Sequence, residues 1–109
     1  MLGSMNTSMI DDAHFTAEVL ESEQPVLVDF TAAWCPPCRV MNPILAELAN
    51  DRDDLRVVSL DVDDNQETAA RYGVLSMPTF MLFRAGEPVL RLVGSRPRKR
   101  LEAELAAAL

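Results

Sequence analysis

Apolar positions along the chain switch repeatedly between helical and strand spacing. Asp11 and Asp12 offer N-cap oxygens ahead of Phe15, Val19 and Leu20, which predicts a short first helix. Pro25 then opens Val26–Leu27–Val28–Asp29–Phe30, a buried strand with one acid inside it. Residues 36–50 put Val40, Met41, Ile44, Leu45 and Leu48 on one helical face, and Pro43 within that stretch predicts a kink. Residues 55–62 form another strand between acidic clusters, and residues 67–72 a short helix that stops at Gly73. Residues 79–84 and 88–93 flank Ala85–Gly86–Glu87 as a hairpin. A last helix starts near Pro97, in its first turn, with Leu101, Leu105 and Leu109 on one stripe. The first strand is weak, with only Met9 and Ile10 clearly apolar. Strands joined through a helix run parallel and the hairpin antiparallel, so the expected fold class is α/β: a mixed sheet covered by helices on both faces.

A chain of 109 residues makes one domain able to bury a real core. Its net charge of −7 disfavours nucleic acid as a partner, and no apolar run reaches the ~20 residues that would span a bilayer. The opening Met1–Leu2–Gly3–Ser4–Met5 has neither the basic nor the apolar region of a secretory signal. Residues 1–5 read as an expression scar and residues 6–109 as the domain, with Met5 a native start and a cytoplasmic location expected.

The two cysteines, Cys35 and Cys38, are separated only by Pro36 and Pro37. A bridge between them closes almost no loop and stabilises little, so the pair is better explained by reactivity than by stapling. A strand ending near Phe30 and a helix beginning near Cys35 put the first sulfur at a helix N-terminus. There, free N–H groups and the macrodipole favour thiolate. Cys38, one turn on, is within disulfide reach on the same face. The exchange chemistry requires that the first sulfur not be deeply enclosed. Zinc would need two more ligands, and the lone histidine, His14, is expected on the surface.

The segment Val28–Asp29–Phe30–Thr31–Ala32–Ala33–Trp34–Cys35–Pro36–Pro37–Cys38–Arg39 resembles the active-site segment of the thioredoxin family. The similarity runs from about Ile10 to Leu109, and Pro43, Met77–Pro78–Thr79, Gly86 and Gly94 match the family's kinking proline, cis-proline loop, hairpin turn and active-site rim. The resemblance implies a thioredoxin fold, a five-stranded mixed sheet flanked by four helices. It also implies a protein-disulfide reductase that works on disulfide-containing proteins and is re-reduced by an NADPH-dependent thioredoxin reductase, with no cofactor of its own. Cys35 and Cys38 would then be catalytic, and Asp29, its pKa raised by burial, would exchange a proton with Cys38 through water. Trp34, Pro36, Pro37, Met77, Pro78 and Gly94 would form a low-charge docking surface, on which the backbone of Met77 pairs with substrate. A monomer is expected.

Several positions depart from the family pattern. Pro36 stands where glycine is commonest and removes a backbone donor near Cys35. Ser59 stands where a lysine is frequent, so the pKa of Asp29 should rise further, and Thr31 replaces a second tryptophan. Pro36 and Ser59 motivate the alternative of a more oxidising or pathway-dedicated oxidoreductase; a thioredoxin-like binding module is a further alternative. The run Asp61–Val62–Asp63–Asp64–Asn65 resembles the start of a calcium loop but lacks the later glycine and acid, and so reads as an acidic loop and helix cap. The run Arg96–Pro97–Arg98–Lys99–Arg100 reads as solvated surface, with docking of an acidic partner as the alternative.

Overall fold

A computed structural model of the protein describes residues 7–109, so the scar assigned to residues 1–5 lies outside the described residues. Strand β1 (Ser8–Ile10) is followed by a first helix in two parts, a 3-10 turn Asp12–His14 and a π-helical stretch Thr16–Leu20. Then come β2 (Val26–Thr31), α1 (Pro36–Asp51), β3 (Arg56–Asp61), α2 (Gln66–Arg71), β4 (Thr79–Arg84), β5 (Glu87–Val93) and α3 (Arg98–Ala108). The five strands form one sheet in the order β1-β3-β2-β4-β5. Strands β1, β3 and β2 are parallel, while β4 runs antiparallel to β2 and β5 to β4, the mixed sheet with four helices that the sequence implies.

Side chains alternate across β2, and each parity has its own cover. Val26, Val28 and Phe30 pack with Phe15 and Val19 of the first helix and Ala69 of α2. Leu27 packs on the opposite face with Met41, Leu45 and Leu48 of α1 and Leu101 and Leu105 of α3. Asp29 shares the parity of Leu27 and therefore points to the α1 side. Phe15, Tyr72 and Phe83 contact one another with ring centroids 5.2–5.6 Å apart, joining the first helix, α2 and β4. Leu101 and Leu105 are fully buried and anchor α3, each contributing about 1.5–3 kcal/mol by transfer from water. Two residues assigned to apolar stripes lie elsewhere: Val40 is 61% exposed, and Leu109, past the end of α3, is 38% exposed.

Local chemistry sets the element ends. The hairpin turns at Ala85 (φ 52°) and Gly86 (φ 80°), the two positive angles that a tight hairpin of matching twist requires. A side chain at Gly86 would also meet the Leu20 carbonyl oxygen at 3.0 Å. Glu87, assigned to the turn from sequence, already belongs to β5. Helix α2 ends with Val74 N–H donating to Ala69 O and Gly73 N–H to Ala70 O, the paired bonds that close a helix around a left-handed residue. Pro97 is the N-cap of α3 rather than part of its first turn.

Two expectations about charge are corrected. Asp11 caps the first helix by accepting from His14 N–H, but Asp12 turns away and caps α2, accepting from the N–H groups of Glu67 and Thr68 and from the Thr68 hydroxyl. Asn65 at the head of α2 supplies no side-chain cap bond there; its Oδ1 instead accepts from Asp12 N–H. The basic run is likewise not a free patch. Arg98 bonds to Asp51 and Glu47 of α1 and to Glu102, Arg100 lies 3.6 Å from Glu104, and Arg96 is buried. Carboxylates around Arg98 offset the unfavourable placement of a cation at a helix N-terminus.

Candidate active site

The C-terminal ends of the parallel strands β2 and β3 meet the N-terminus of α1, where open α/β sheets commonly hold their chemistry. Cys35 is the N-cap of α1, and its Sγ accepts the N–H of Cys38 at 3.2 Å. Pro36 and Pro37 have no N–H, so the first turn offers this sulfur one backbone donor where other sequences would offer more. Cys35 and Cys38 form a disulfide with Cα atoms 5.3 Å apart. Sγ of Cys35 lies 3.5 Å from the carbonyl oxygen of Met77, which brings the Met77–Pro78 loop to the cysteine pair. The Met77–Pro78 peptide is cis, and Met77 lies just outside the β4 ladder, which begins at Thr79. Gly94 (φ 97°) donates its N–H to Pro78 O at 2.9 Å and has open space where a side chain would stand.

Cys35, Met77, Pro78 and Gly94 are thus drawn together, with Trp34, Pro36 and Pro37 exposed beside them; of the expected docking surface, Met77 and Gly94 are half-buried and Pro78 is buried, its ring enclosed where the loop meets β4. Trp34 is 60% exposed, and its indole N–H donates to Asp63 Oδ2 at 2.8 Å. That bond was missed from sequence, where Asp63 belongs to an acidic loop 29 residues away. The expectation of an open first sulfur also needs correction. Cys35 and Cys38 are each only 1% exposed, so the oxidised pair is buried rather than open to solvent.

Asp29 is 1% exposed and pairs across the sheet with Ser59. Burial pushes its pKa up to about 7; the Ser59 hydroxyl, donating to Oδ2 at 3.4 Å, partly opposes this. Oδ1 is buried with no hydrogen-bond partner among the described residues. A cavity of about 310 Å³ is lined by Cys38, Ser59, Arg39 and Asp61, so Ser59, which bonds the buried acid, faces the same space as the second cysteine. His14 is exposed and paired with Asp11, and among the described residues no cluster of His, Cys, Asp and Glu could hold a metal.

A family model described as Thioredoxin matches residues 6–107. The chain belongs to the thioredoxin family. A thioredoxin of Alicyclobacillus acidocaldarius is 46% identical over 104 residues, covering 94% of this chain and 98% of the relative. A Mycobacterium tuberculosis thioredoxin is 48% identical over 101 residues, covering 92% of this chain and 87% of the relative. A bifunctional thioredoxin reductase/thioredoxin of Mycobacterium leprae is 46% identical over 101 residues, and the match spans 22% of that longer protein. As a thioredoxin family member with its cysteine pair in place, the protein is a thiol–disulfide oxidoreductase that reduces protein disulfides. Thioredoxins carry electrons on the cysteine pair and generally need no separate cofactor. No helix among the described residues is long and apolar enough to cross a membrane.

Proposed function

We propose that Cys35 is the attacking sulfur and Cys38 the resolving one. The reduced Cys35 thiolate attacks one sulfur of a substrate disulfide, breaking that bond and releasing the other substrate sulfur, which takes up a proton. Cys38, losing its proton, then attacks Cys35 Sγ in the mixed disulfide. This re-forms the Cys35–Cys38 bond and releases the second substrate sulfur as a thiolate. Two electrons pass from the cysteine pair to the substrate. The observation that carries the assignment is the position of Cys35 Sγ, which accepts an N–H of the first turn of α1 and lies against the Met77 carbonyl.

Asp29 takes the Cys38 proton through Ser59 and water in the shared cavity; its pKa of about 7 suits a group that must both accept and release a proton near neutrality. An extended substrate segment lies along Met77, Pro78 and Gly94, with Trp34, Pro36 and Pro37 completing a largely uncharged face. Such a face accepts many sequences because its contacts are mostly backbone and apolar. The protein works as a cytoplasmic monomer without a cofactor and is re-reduced by an NADPH-dependent thioredoxin reductase. The Mycobacterium leprae relative, whose name joins both activities in one chain, supports that pairing.

Replacing Cys38 by serine tests the assignment. The reduced variant should accumulate a covalent complex with a substrate protein through Cys35, visible by mass spectrometry and released by dithiothreitol, while Cys35→Ser should lose insulin reduction altogether. Insulin reduction at the wild-type rate by Cys35→Ser would refute it.

A further inference from the structure

Arginine is almost never buried unless its charge and donors are all engaged. Arg96, between β5 and α3, has a side chain only 5% exposed. Its Nη1 donates to both oxygens of Glu104 at 2.7 and 2.8 Å, its Nη2 to Val93 O at 2.8 Å and its Nε to Gly94 O at 3.3 Å. Its backbone N–H points at the Met41 sulfur of α1, 3.4 Å away. Gly94 is therefore held from both sides, its N–H by Pro78 O and its carbonyl by the guanidinium. Contacts run without a break from Glu104 through Arg96, Gly94 and Pro78 to Met77, whose carbonyl lies against Cys35 Sγ.

We propose that Arg96 is a positioning residue for substrate docking: anchored on Glu104, it fixes the Val93–Gly94 edge against which the substrate segment lies. This rests on the reading of Met77, Pro78 and Gly94 as the docking edge. Stability alone does not call for such a pair, because apolar side chains of similar volume usually replace a buried ion pair without loss. What they cannot replace are the donors to two carbonyls at the end of β5. Without those donors the carbonyls turn to water and the edge loses its fixed orientation while the domain stays folded. Because Glu104 neutralises the guanidinium, the device orders the edge without adding charge to it.

Arg96→Met combined with Glu104→Met removes the pair and both donors while keeping the volume. Arg96→Lys keeps the ion pair but cannot span both carbonyls, and serves if the double variant does not fold. The expected result is a KM for insulin raised about tenfold, the weight of one lost ordering contact, with kcat and the rate on a small aromatic disulfide within about twofold of wild type. A folded variant with unchanged KM, or an equal loss on insulin and the small disulfide, overturns the proposal. Gly94→Ala, strained at φ 97°, separates the two ideas. If it raises the KM and the Arg96 variants do not, the positioning role alone fails. If none of the three raises it, the docking edge fails as well.

Discussion

Asp29→Asn isolates the energetic consequence of burying an acid under α1. The carboxyl titrates at about 7 in the folded protein against an ordinary value of 3.8. A displacement of about three pH units, at 1.36 kcal/mol each, corresponds to about 4 kcal/mol. The folded state holds this proton more tightly than the unfolded chain, so between about pH 4 and pH 7 stability falls as pH rises, and above the folded pKa the full penalty persists. Asparagine carries no proton to lose. Its buried amide adds a pH-independent cost of about 1–3 kcal/mol for donors left without partners. Urea unfolding of the oxidised protein and variant from about pH 4 to pH 8, followed by Trp34 fluorescence, gives the difference in stability at each pH. That difference should climb by about 4 kcal/mol in favour of the variant across the range, with most of the rise complete by pH 7. The ion-paired surface acids are common to both proteins and cancel. A difference curve flat to within about 1 kcal/mol would show that Asp29 ionises at its ordinary pH when folded, and would remove the basis for its proton-transfer role.

Ser59→Ala removes the one donor that opposes burial, so the Asp29 carboxyl should titrate higher than in the wild type, as followed by carboxyl carbon NMR; a lower value would contradict the assigned bond. Asp12→Ala should cost about 1–2 kcal/mol in urea unfolding, because the N-terminus of α2 loses the side-chain cap that Asp12 supplies, whereas Asp11→Ala affects the first helix alone. Leu101→Ala should cost about 2–5 kcal/mol by opening a cavity between α3 and the sheet, measured the same way.

The parts of the site legible in the sequence were those whose signals are short-range. The Cys35–Cys38 spacing lies within one helical turn, and Asp29 stands out as an acid in an apolar run, so both can be singled out as candidates without knowledge of the packing. The unpredicted parts depend on contacts between distant segments. Asp12 and Thr68 are 56 positions apart, and only the packing of the first helix on α2 makes one the cap of the other. Arg96 was hidden in a basic run whose members look alike in sequence; its burial follows from how β5 enters α3, which brings Glu104 over it. In the first helix the positions of Phe15, Val19 and Leu20 fit spacings of both four and five, and Glu21 N–H bonds to Thr16 O at the longer one. Val40 matched the α1 stripe by period but lies outside the core, because the stripe that faces the sheet is narrower than the pattern allows.

In the proposed mechanism the N-terminus of α1 makes Cys35 the reactive thiolate of the pair. Alkylation of the fully reduced protein with iodoacetamide from about pH 5 to pH 10, with peptide mapping at each point, tests it directly. The expected result is that Cys35 is modified first, with a rate midpoint below the ~8.5 of a free cysteine, while Cys38 reacts slowly throughout. Modification of Cys38 first, or a Cys35 midpoint at or above that of a free cysteine, would contradict it.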